Sequence, residues 1–380
     1  MSSCLDYERG PIRPPSESRS LFLRIMRNCP WNRCTFCPVY KGEVFSVRPC
    51  EELFADIGVL AAMREAVRER VQDQDPRLGL PRSAALDMLR TPRLPEAFRS
   101  FILWATIPSG NVFLQDADAL VMKTDALCRV LDRLRITLPI GRITCYSRAS
   151  TAARLGKRLI ALRETGLARI HLGVESGDPE TLLRVRKGAS PARFIEAAGR
   201  IREAGLELSV YVMPGLGGTA RWREHAVATA ELVRAMSPDT IRLRTLAIAP
   251  GTPLSETVRS GRLTPQPDMA TVEEIRVFLM HLDGWMGEIE SDHVLNLLPE
   301  LRGRMPDDRP EMLELLNSAL SLDPENQILF VAGRRAGVFR DLAELKDPWK
   351  RAAVAGLLEE WRSERIGPEE AIRDIMGRFL

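Results

Sequence analysis

Between residues 21 and 260, short apolar runs alternate with amphipathic segments. The apolar runs have the length of buried strands and cover residues 21–26, 111–114, 142–146, 168–174, 208–212 and 240–248. Segments with apolar residues at helical spacing follow them, such as 152–164 and 194–204, which Gly166 and Gly205 end. Strands that are joined by helices lie side by side in a mainly parallel sheet. The pattern therefore predicts an α/β fold with six strand–helix units.

The pattern changes at both ends of the first strand–helix unit. Residues 1–20 are polar and rich in proline, which predicts an extended arm that is either disordered or folded over the strand ends. Residues 51–110 exceed one crossover helix. A helix begins at Glu51, the prolines of residues 72–95 interrupt the pattern, and residues 97–106 are apolar again. We therefore expect a helical insertion after the first strand.

After a core that covers residues 21–260, the chain is mostly helical up to residue 380. We expect residues 261–380 to form a C-terminal helical cap. One of its helices is predicted to begin at Ser291, whose hydroxyl can cap the first turn. Three polar residues then either contact a substrate or are merely exposed on a capped helix: Asp292, His293 and Asn296.

Composition and charge narrow the class of protein without naming a function. The 380 residues include 45% hydrophobic and 28% charged residues, as in ordinary globular proteins. Because 54 basic and 51 acidic residues leave a net charge of +3 and no long basic stripe occurs, a nucleic-acid partner is neither supported nor excluded. No apolar run reaches the length of a membrane span, and the polar N-terminus lacks a secretory signal pattern. Clustered cysteines without a disulfide pattern favour a reducing, cytoplasmic location.

Three of the seven cysteines, Cys29, Cys34 and Cys37, lie within nine residues directly after the first predicted strand. Thiolates are soft ligands, and three that converge need a metal to offset their mutual repulsion. Zinc requires a fourth ligand, but Cys50 lies well downstream and no histidine is near. The spacing therefore favours a [4Fe–4S] cluster with one iron open to a substrate or cofactor. A small zinc knuckle and reduced core thiols are the alternatives.

The remaining cysteines stand alone in the sequence. We interpret them as structural or incidental: Cys4, Cys50, Cys128 and Cys145. No second cysteine cluster occurs near the C-terminus, which argues against an auxiliary iron–sulfur centre.

The cysteine loop resembles that of the radical S-adenosylmethionine (SAM) superfamily, in which it follows the first strand of a partial (β/α) barrel. The usual spacing there is three residues and then two, whereas this chain has four and then two, a variant of the kind found in elongator-type members. Phe36, directly before Cys37, matches the aromatic residue that the family places beside adenine. The resemblance implies a partial (β/α)6 TIM-like barrel whose cofactors are a [4Fe–4S] cluster, held by the three cysteines, and SAM.

Later strand ends also match the family, in particular its methylthiotransferase and coproporphyrinogen-oxidase-like groups. In these proteins the turn after the second strand receives the SAM ammonium, the fourth strand end meets the ribose, and a basic residue one helix later reaches the carboxylate. The fifth and sixth strand ends line the adenine pocket. The resemblance implies that the SAM contacts are Gln115, Asp116, Ala117, Ser147, Glu175, Ser176, Lys187, Met213, Gly215, Leu246 and Ala247. Asp116 or Asp118 either adds charge there or caps a helix that starts near Met122.

The resemblance further implies reductive cleavage of SAM to methionine and a 5′-deoxyadenosyl radical, which abstracts hydrogen from an unidentified small molecule or peptide. A reduced donor of the flavodoxin or ferredoxin type would supply the electron, and Arg24, Arg27 and Arg33 are candidates that tune the cluster potential. One alternative is modification of tRNA or a ribosomal protein. A second is a haem or cofactor carrier on the same scaffold, with His281 and His293 as candidate axial ligands. A third is a zinc-binding interaction module.

Overall fold

The computed structural model describes residues 5–71, 79–107, 110–365, 367, 371–372 and 375–376. These residues form two compact units. Unit 1 holds the described residues up to Asn32, together with Val39–Leu172 and Gly199–Leu208. Unit 2 holds Arg33–Pro38, Gly173–Ala198 and the described residues from Ser209 onward. The sequence-based division into an arm, a core of residues 21–260 and a C-terminal region stays a prediction.

The strands of unit 1 are largely parallel. They are β1 Leu21–Arg24, β2 Met26–Arg27, β3 Ser46–Val47, β4 Asn111–Gln115, β5 Arg142–Ser147 and the first six residues of β6 Leu167–Glu175. β1 pairs with β4, β4 with β5, and β5 with β6, each time in parallel, with Phe22 beside Phe113 in the first pair. β2 and β3 form a short antiparallel hairpin. Parallel pairing brings the carboxyl ends of β1, β4 and β5 to one edge, which is where the predicted site residues follow.

Helices connect these strands and also form the segment between β1 and β4. They are α1 Cys50–Val71, α2 Arg82–Leu89, α3 Glu96–Ala105, α4 Thr124–Thr137, α5 Ala149–Leu155 and α6 Arg158–Glu164. α2 lies within the proline-containing stretch in which the sequence pattern predicts no helix. Pro81 does not interrupt this helix, because it occupies the N-cap. Residues 72–78, which belong to the same stretch, lie outside the described residues.

Glycines in the left-handed region end several helices as the sequence predicts. Gly166 and Gly205 have φ angles of 109° and 69° and follow the helices that they were expected to end. Gly156, with a φ of 53°, separates α5 from α6, so the single helix predicted over residues 152–164 is two helices. A positive φ cannot continue a right-handed helix, and glycine adopts it without steric cost.

The described part of the N-terminal arm is ordered against the strands of unit 1. Pro15–Glu17 form a turn of 3₁₀-helix, and Glu17 is buried. The Glu17 carboxylate lies 3.0 Å from Nε2 of His171, which is itself buried on β6. The ring of His171 contacts Phe113 and Tyr146. The extended arm predicted from its prolines is therefore partly helical and is fixed by a buried polar pair.

In unit 2 the strands continue the same pattern. They are the end of β6, β7 Glu207–Val212 from Ser209 onward, β8 Thr240–Leu243, β9 Gly287–Glu290 and β10 Arg302–Met305. β7 pairs with β8 and β8 with β9 in parallel, whereas β10 pairs antiparallel with β9. The six predicted strands are thus all present, and β9 and β10 add to them. β8 is shorter than predicted, because residues 244–249 form a loop.

The helix predicted to begin at Ser291 is wrong. Residues 291–300 contain no helix and leave β9 as a loop. The Asn296 side chain fixes this loop, because its Oδ1 accepts from the Thr245 N–H at 2.8 Å and its Nδ2 donates to the Leu243 carbonyl at 2.8 Å. These bonds connect the loop to the end of β8, a contact that helical spacing in the sequence does not reveal.

The helices of unit 2 surround these strands and make up most of the C-terminal region. They are α7 Pro179–Arg184, α8 Pro191–Glu203 up to Ala198, α9 Trp222–Met236, α10 Pro253–Arg259, α11 Asp268–Met280, α12 Arg309–Leu320, α13 Pro324–Arg335 and α14 Pro348–Ser363. Arg334 and Arg335 donate to backbone carbonyls at Leu295–Leu297, so this basic pair holds the loop after β9. Among the described helices, none has the length and apolar character needed to cross a membrane.

Candidate functional site

The first part of the cysteine loop is held by backbone hydrogen bonds within unit 1. The Asn32 N–H donates to Sγ of Cys29 at 3.4 Å. Asn32 has a φ of 44°, its side-chain amide donates to the Tyr40 carbonyl, and its own carbonyl accepts from Lys41 Nζ at 2.9 Å. Asparagine tolerates the left-handed region better than most residues. The four-residue spacing therefore accommodates a left-handed turn that aims an N–H at the first cysteine sulfur.

Asp116 supports the base of this loop. One carboxylate oxygen of Asp116 accepts from Arg24 at 2.8 Å and from the backbone N–H of Asn28 at 3.2 Å. Asn28 directly precedes Cys29 and has a φ of 69°. Burial raises the pKa of Asp116, while the Arg24 guanidinium opposes that rise. The acid that the resemblance placed beside the SAM ammonium thus orients the loop that carries Cys29.

Gln115, predicted to receive the same ammonium, is occupied by the N-terminal arm. Its Oε1 accepts from the Gly10 N–H at 2.9 Å, and its Nε2 donates to the Gly10 carbonyl at 3.2 Å and to the Ile12 carbonyl at 2.5 Å. Its backbone carbonyl accepts from the Ile25 N–H at 2.6 Å. Ala117, the third member of the predicted turn, is half-buried. The structure therefore commits both polar groups of Gln115 to the protein itself.

Ser147 and Asp118 bond to each other at the ends of β5 and β4. The Ser147 hydroxyl donates to Oδ1 of Asp118 at 2.9 Å, and the Thr151 hydroxyl donates to Oδ2 at 2.6 Å. Burial raises the pKa of Asp118 to about 6, although both hydroxyls favour its charged form. The Asp118 side chain makes no helix-capping bond, and α4 begins at Thr124, close to the predicted start. Asp118 thus links two strand ends.

An ion-pair network surrounds the start of the cysteine loop. Arg24 and Arg27, predicted to tune a cluster, both bond to Glu8 of the arm, at 2.9 Å and 2.6 Å. Buried Arg48 pairs with Asp56 at 2.6 Å and donates to the Arg24 carbonyl. Glu8 and Arg48 were not predicted from the sequence. The signal that could have found this network is that arginines near the loop require acidic partners.

The second part of the cysteine loop lies in unit 2, between α7 and α10. The Thr35 N–H donates to the Val185 carbonyl at 3.0 Å, and the Thr35 carbonyl accepts from the Leu254 N–H at 3.0 Å. These two bonds fix the peptide that leads from Cys34 to Phe36. The loop is therefore anchored immediately before Cys37.

Three of the residues predicted to contact adenine meet in one apolar cluster. Phe36 and Leu246 pack against buried Val185, Met213 and Leu216. The Leu246 N–H donates to the Pro214 carbonyl at 2.9 Å, which aligns the loop after β8 with the turn after β7. The combination of an aromatic ring and aliphatic side chains forms a flat apolar surface suited to a nucleobase.

The residues predicted for ribose and carboxylate form an ion pair. Lys187 Nζ donates to Oε1 of Glu175 at 2.8 Å. Both groups lie directly over Gly173, where an added Cβ would be 2.5 Å from Oε1 and 2.9 Å from Nζ. Glu175 has a φ of 67°, an uncommon conformation for this residue. Ser176 Oγ accepts from the Asp178 N–H at 3.0 Å, so this hydroxyl shapes the following turn.

A buried pair that sequence reasoning missed fixes the turn after β7. The Glu274 carboxylate on α11 accepts from the Gly215 N–H at 3.1 Å and lies 2.7 Å from Nδ1 of His225 on α9. Both side chains are buried. Gly215 has a φ of 88°, which glycine adopts readily. The sequence signal that could have found this pair is a histidine and a glutamate on helix faces that are otherwise apolar.

Asp178 organises the turn after β6. Its side chain accepts from the Thr181 N–H at the start of α7 and from Arg221 through two bonds of 3.0 Å. Burial disfavours its charge, but the bonds from Arg221 and Thr181 outweigh burial and lower the pKa of Asp178 to about 2. This carboxylate is thus a permanently charged cap that joins α7 to the segment before α9.

The polar residues after β9 do not form the predicted helix face. Asp292 pairs with Arg242 on β8 at 2.5 Å. His293 is half-buried, its Nδ1 accepts from the Leu295 N–H at 3.2 Å, and burial together with nearby Arg244 lowers its pKa to about 4. His281 is exposed at the end of α11, with Nδ1 2.8 Å from the Val277 carbonyl. A carrier role for the histidines stays a prediction.

The three loop cysteines are present as half-buried thiols. Cys29 belongs to unit 1, whereas Cys34 and Cys37 belong to unit 2. Among the residues that the structure describes, no three or more His, Cys, Asp or Glu side chains are arranged to hold a metal ion. The fit of an iron–sulfur cluster therefore rests on the donor set, three thiols on one short loop. By contrast, burial raises the pKa of Cys145, which keeps that thiol protonated and unreactive.

The fold and these residues define a class of protein, and a sequence profile agrees. Residues 23–230, more than half of the chain, match the Radical SAM superfamily, and the chain belongs to that superfamily. Membership confirms the predicted partial (β/α)6 TIM-like barrel class, the enzyme class and the two cofactors, a [4Fe–4S] cluster and SAM.

Among curated proteins, the chain is similar to a tRNA uridine(34) acetyltransferase of Methanocaldococcus infernus, with 22% identity over 268 residues. The match covers 68% of this chain and 48% of that protein, so the chain spans about half the length of this relative. Among solved structures, it is similar to the archaeal Methanocaldococcus infernus Elp3, with a TM-score of 0.40, 18% identity and coverage of 48% and 47% of the two chains. Coproporphyrinogen III oxidase (HemN) from Escherichia coli gives a TM-score of 0.43 at 15% identity, with coverage of 69% and 52%.

Proposed function

We propose that this chain is a radical SAM enzyme that acts on an unidentified small molecule or peptide, with Cys29, Cys34 and Cys37 as the cluster ligands. The observation that carries the proposal is that Phe36, Met213 and Leu246 meet in one apolar cluster. Phe36 directly precedes Cys37 in the chain. An apolar surface of this kind next to a cluster ligand is what a nucleoside attached to the cluster requires.

The residues of unit 2 have complementary tasks in binding SAM. Lys187 supplies the cation for the carboxylate, and Glu175 accepts hydrogen bonds from the ribose diol. Their mutual ion pair holds both side chains in position before SAM binds. Phe36 and Leu246 cover the adenine and exclude water. When bound, the cluster supplies the electron that cleaves SAM reductively and so makes its adenosyl group able to abstract hydrogen.

Anaerobic reconstitution tests this function. We expect the reconstituted wild-type chain to bind one cluster and to form 5′-deoxyadenosine when SAM and dithionite are added. Cys34→Ala should lose the cluster, as measured by iron and sulfide content, whereas Cys128→Ala should retain it, because Cys128 is a free thiol outside the loop. A wild-type protein with an intact cluster that forms no 5′-deoxyadenosine would contradict the proposal.

The partners that we propose follow from the same chemistry. A reduced flavodoxin or ferredoxin supplies the electron in a cytoplasmic compartment, where thiols stay reduced. Arg27 and Arg24, which are paired with Glu8 near the loop, contribute to the potential at which the electron is accepted. Replacing dithionite by a reduced flavodoxin should therefore also support SAM cleavage.

A second candidate function is modification of tRNA. It is favoured by the similarity to the tRNA uridine(34) acetyltransferase of Methanocaldococcus infernus, although the chain spans about half of that protein. Nucleoside mass spectrometry of tRNA that has been incubated with the reconstituted chain, SAM, dithionite and an acetyl donor such as acetyl-CoA tests this candidate. A modified uridine would favour it over the small molecule or peptide.

A further inference from the structure

A partly open cavity within unit 2 has no role in the function proposed so far. A cavity of about 520 Å³ lies between the loop after β8, the start of α11 and one face of α13. Its volume is in the range of small-molecule sites. Its wall includes Leu246 and Ala247 on one side and Ile328 and Val331 on the other. The cavity is thus bounded by the adenine surface proposed above and by the C-terminal helices.

The lining of this cavity is largely apolar, and the described residues that form it carry little uncompensated charge. Among the described residues that line it, Asp268 alone is charged. Arg335 binds both oxygens of that carboxylate, so its charge is compensated within the protein. A charged ligand group would lose its water without gaining a partner of opposite charge, which costs several kcal/mol or more. The cavity therefore disfavours phosphates, carboxylates and amines.

Gln266, which also lines the cavity, offers no acceptor to a ligand. Its Nε2 donates to the Ala270 carbonyl at 2.6 Å, and its Oε1 is buried within the protein. A ligand would therefore be held mainly by apolar contacts.

We propose that this cavity binds an uncharged, largely apolar small molecule. Because Gly215, Leu246 and Ala247 form part of both the cavity wall and the predicted SAM site, the bound molecule lies beside the adenosyl group. That the bound molecule is the substrate rests on the function proposed above, whereas its binding to the cavity does not.

A matched pair of fluorescent probes tests the proposal on the anaerobically reconstituted full-length chain. N-phenyl-1-naphthylamine is uncharged, apolar and carries one N–H, whereas 8-anilino-1-naphthalenesulfonate adds a sulfonate to the same skeleton. We expect one molecule of the neutral probe to bind per chain, at least about tenfold more tightly than the sulfonate. Equal affinity for the two probes would overturn the proposal.

Substitutions then locate the probe. Val331→Trp fills the cavity from α13 and should weaken the neutral probe by about tenfold or more, whereas Met286→Trp, at an exposed position outside the cavity, should not. If Val331→Trp does not fold, Ile328→Trp at the partly exposed rim replaces it. Unchanged probe binding in all the cavity variants would overturn the proposal.

Measurement of SAM separates this site from the SAM site. Val331→Trp should bind SAM within about twofold of the wild type, and SAM should not displace the neutral probe. Displacement of the probe by SAM would show that the cavity is the adenine site itself and would overturn the proposal. A chain that binds the probe as expected but does not cleave SAM would contradict the proposed function alone.

Discussion

At the scale of single residues, the structure separates the predicted SAM contacts into two kinds. Gln115 and Ser147 already use their side chains to hold the arm and Asp118. Glu175 and Lys187 bond to each other at 2.8 Å, and a ligand can replace that bond. The residue type at a strand end can be read from the sequence. The hydrogen-bond partner of that residue cannot, because it can lie far away in the chain, as Gly10 lies 105 positions from Gln115.

Gly173→Ala tests the position of the Glu175–Lys187 pair. A Cβ at this site would meet the flexible ends of both side chains, so the pair must move while the fold remains. We expect the affinity for SAM to fall about tenfold and the free energy of unfolding to change by less than about 1 kcal/mol. Equilibrium dialysis with reconstituted protein measures the affinity. Gly199→Ala on α8, where a Cβ meets nothing within 4 Å, is the control, and an equal effect in both variants would refute this assignment.

Asp118 predicts a specific pH dependence of stability. Its pKa rises from an ordinary 3.8 to about 6 on folding, so the folded state holds a proton that the unfolded state has released between these values. The free energy of unfolding should therefore fall as the pH rises from about 4 to about 6, by on the order of 3 kcal/mol from this group. Asp118→Asn should remove that fall in urea unfolding curves, whereas Asp125→Asn at an exposed position should keep it. If Asp118→Asn shows the same fall in the free energy of unfolding with pH as the wild type, Asp118 is not the cause of that fall.

At the scale of elements, strand–helix alternation was predictable and the polar connections were not. The six apolar runs became β1, β4, β5, β6, β7 and β8, because buried parallel strands consist of nearly continuous apolar residues. β9 has only four residues, with one of them buried, and leaves too short a pattern to detect. Likewise, the bond between Glu274 of α11 and Gly215 depends on which helix faces which turn.

Gly10→Ala tests whether the arm is fixed to the end of β4. An added Cβ would lie 1.8 Å from Oδ1 of Asp116, whose other oxygen is bound by Arg24, so neither side can yield easily. We expect the arm to detach and the free energy of unfolding to fall by about 1–3 kcal/mol. Limited trypsin digestion should then cut faster after Arg9. Gly58→Ala on α1 has free space around its Cβ and is the control, and unchanged cleavage in Gly10→Ala would disprove the attachment.

At the scale of the whole molecule, charge and relatives favour different substrates. The superfamily match ends at residue 230 and leaves the rest of the given chain outside it. The curated relative is named for tRNA, yet the basic and acidic residues of this chain nearly balance. The sequence thus predicted the cofactor chemistry, which depends on a short cysteine loop. It left the substrate open, because that depends on the surfaces of residues far apart in the chain.

The balance of charge leads to a test that involves the whole chain. Binding to RNA depends on basic residues that displace counterions from phosphates, so a chain with a net charge of +3 and no basic stripe should bind tRNA weakly. We expect fluorescence anisotropy with labelled tRNA to give a dissociation constant above roughly 10⁻⁵ M at physiological ionic strength. Raising the salt should change it little, because few phosphate contacts are made. Sub-micromolar binding that weakens steeply with salt would instead favour tRNA as the substrate, and the neutral cavity beside Leu246 would then serve a different molecule.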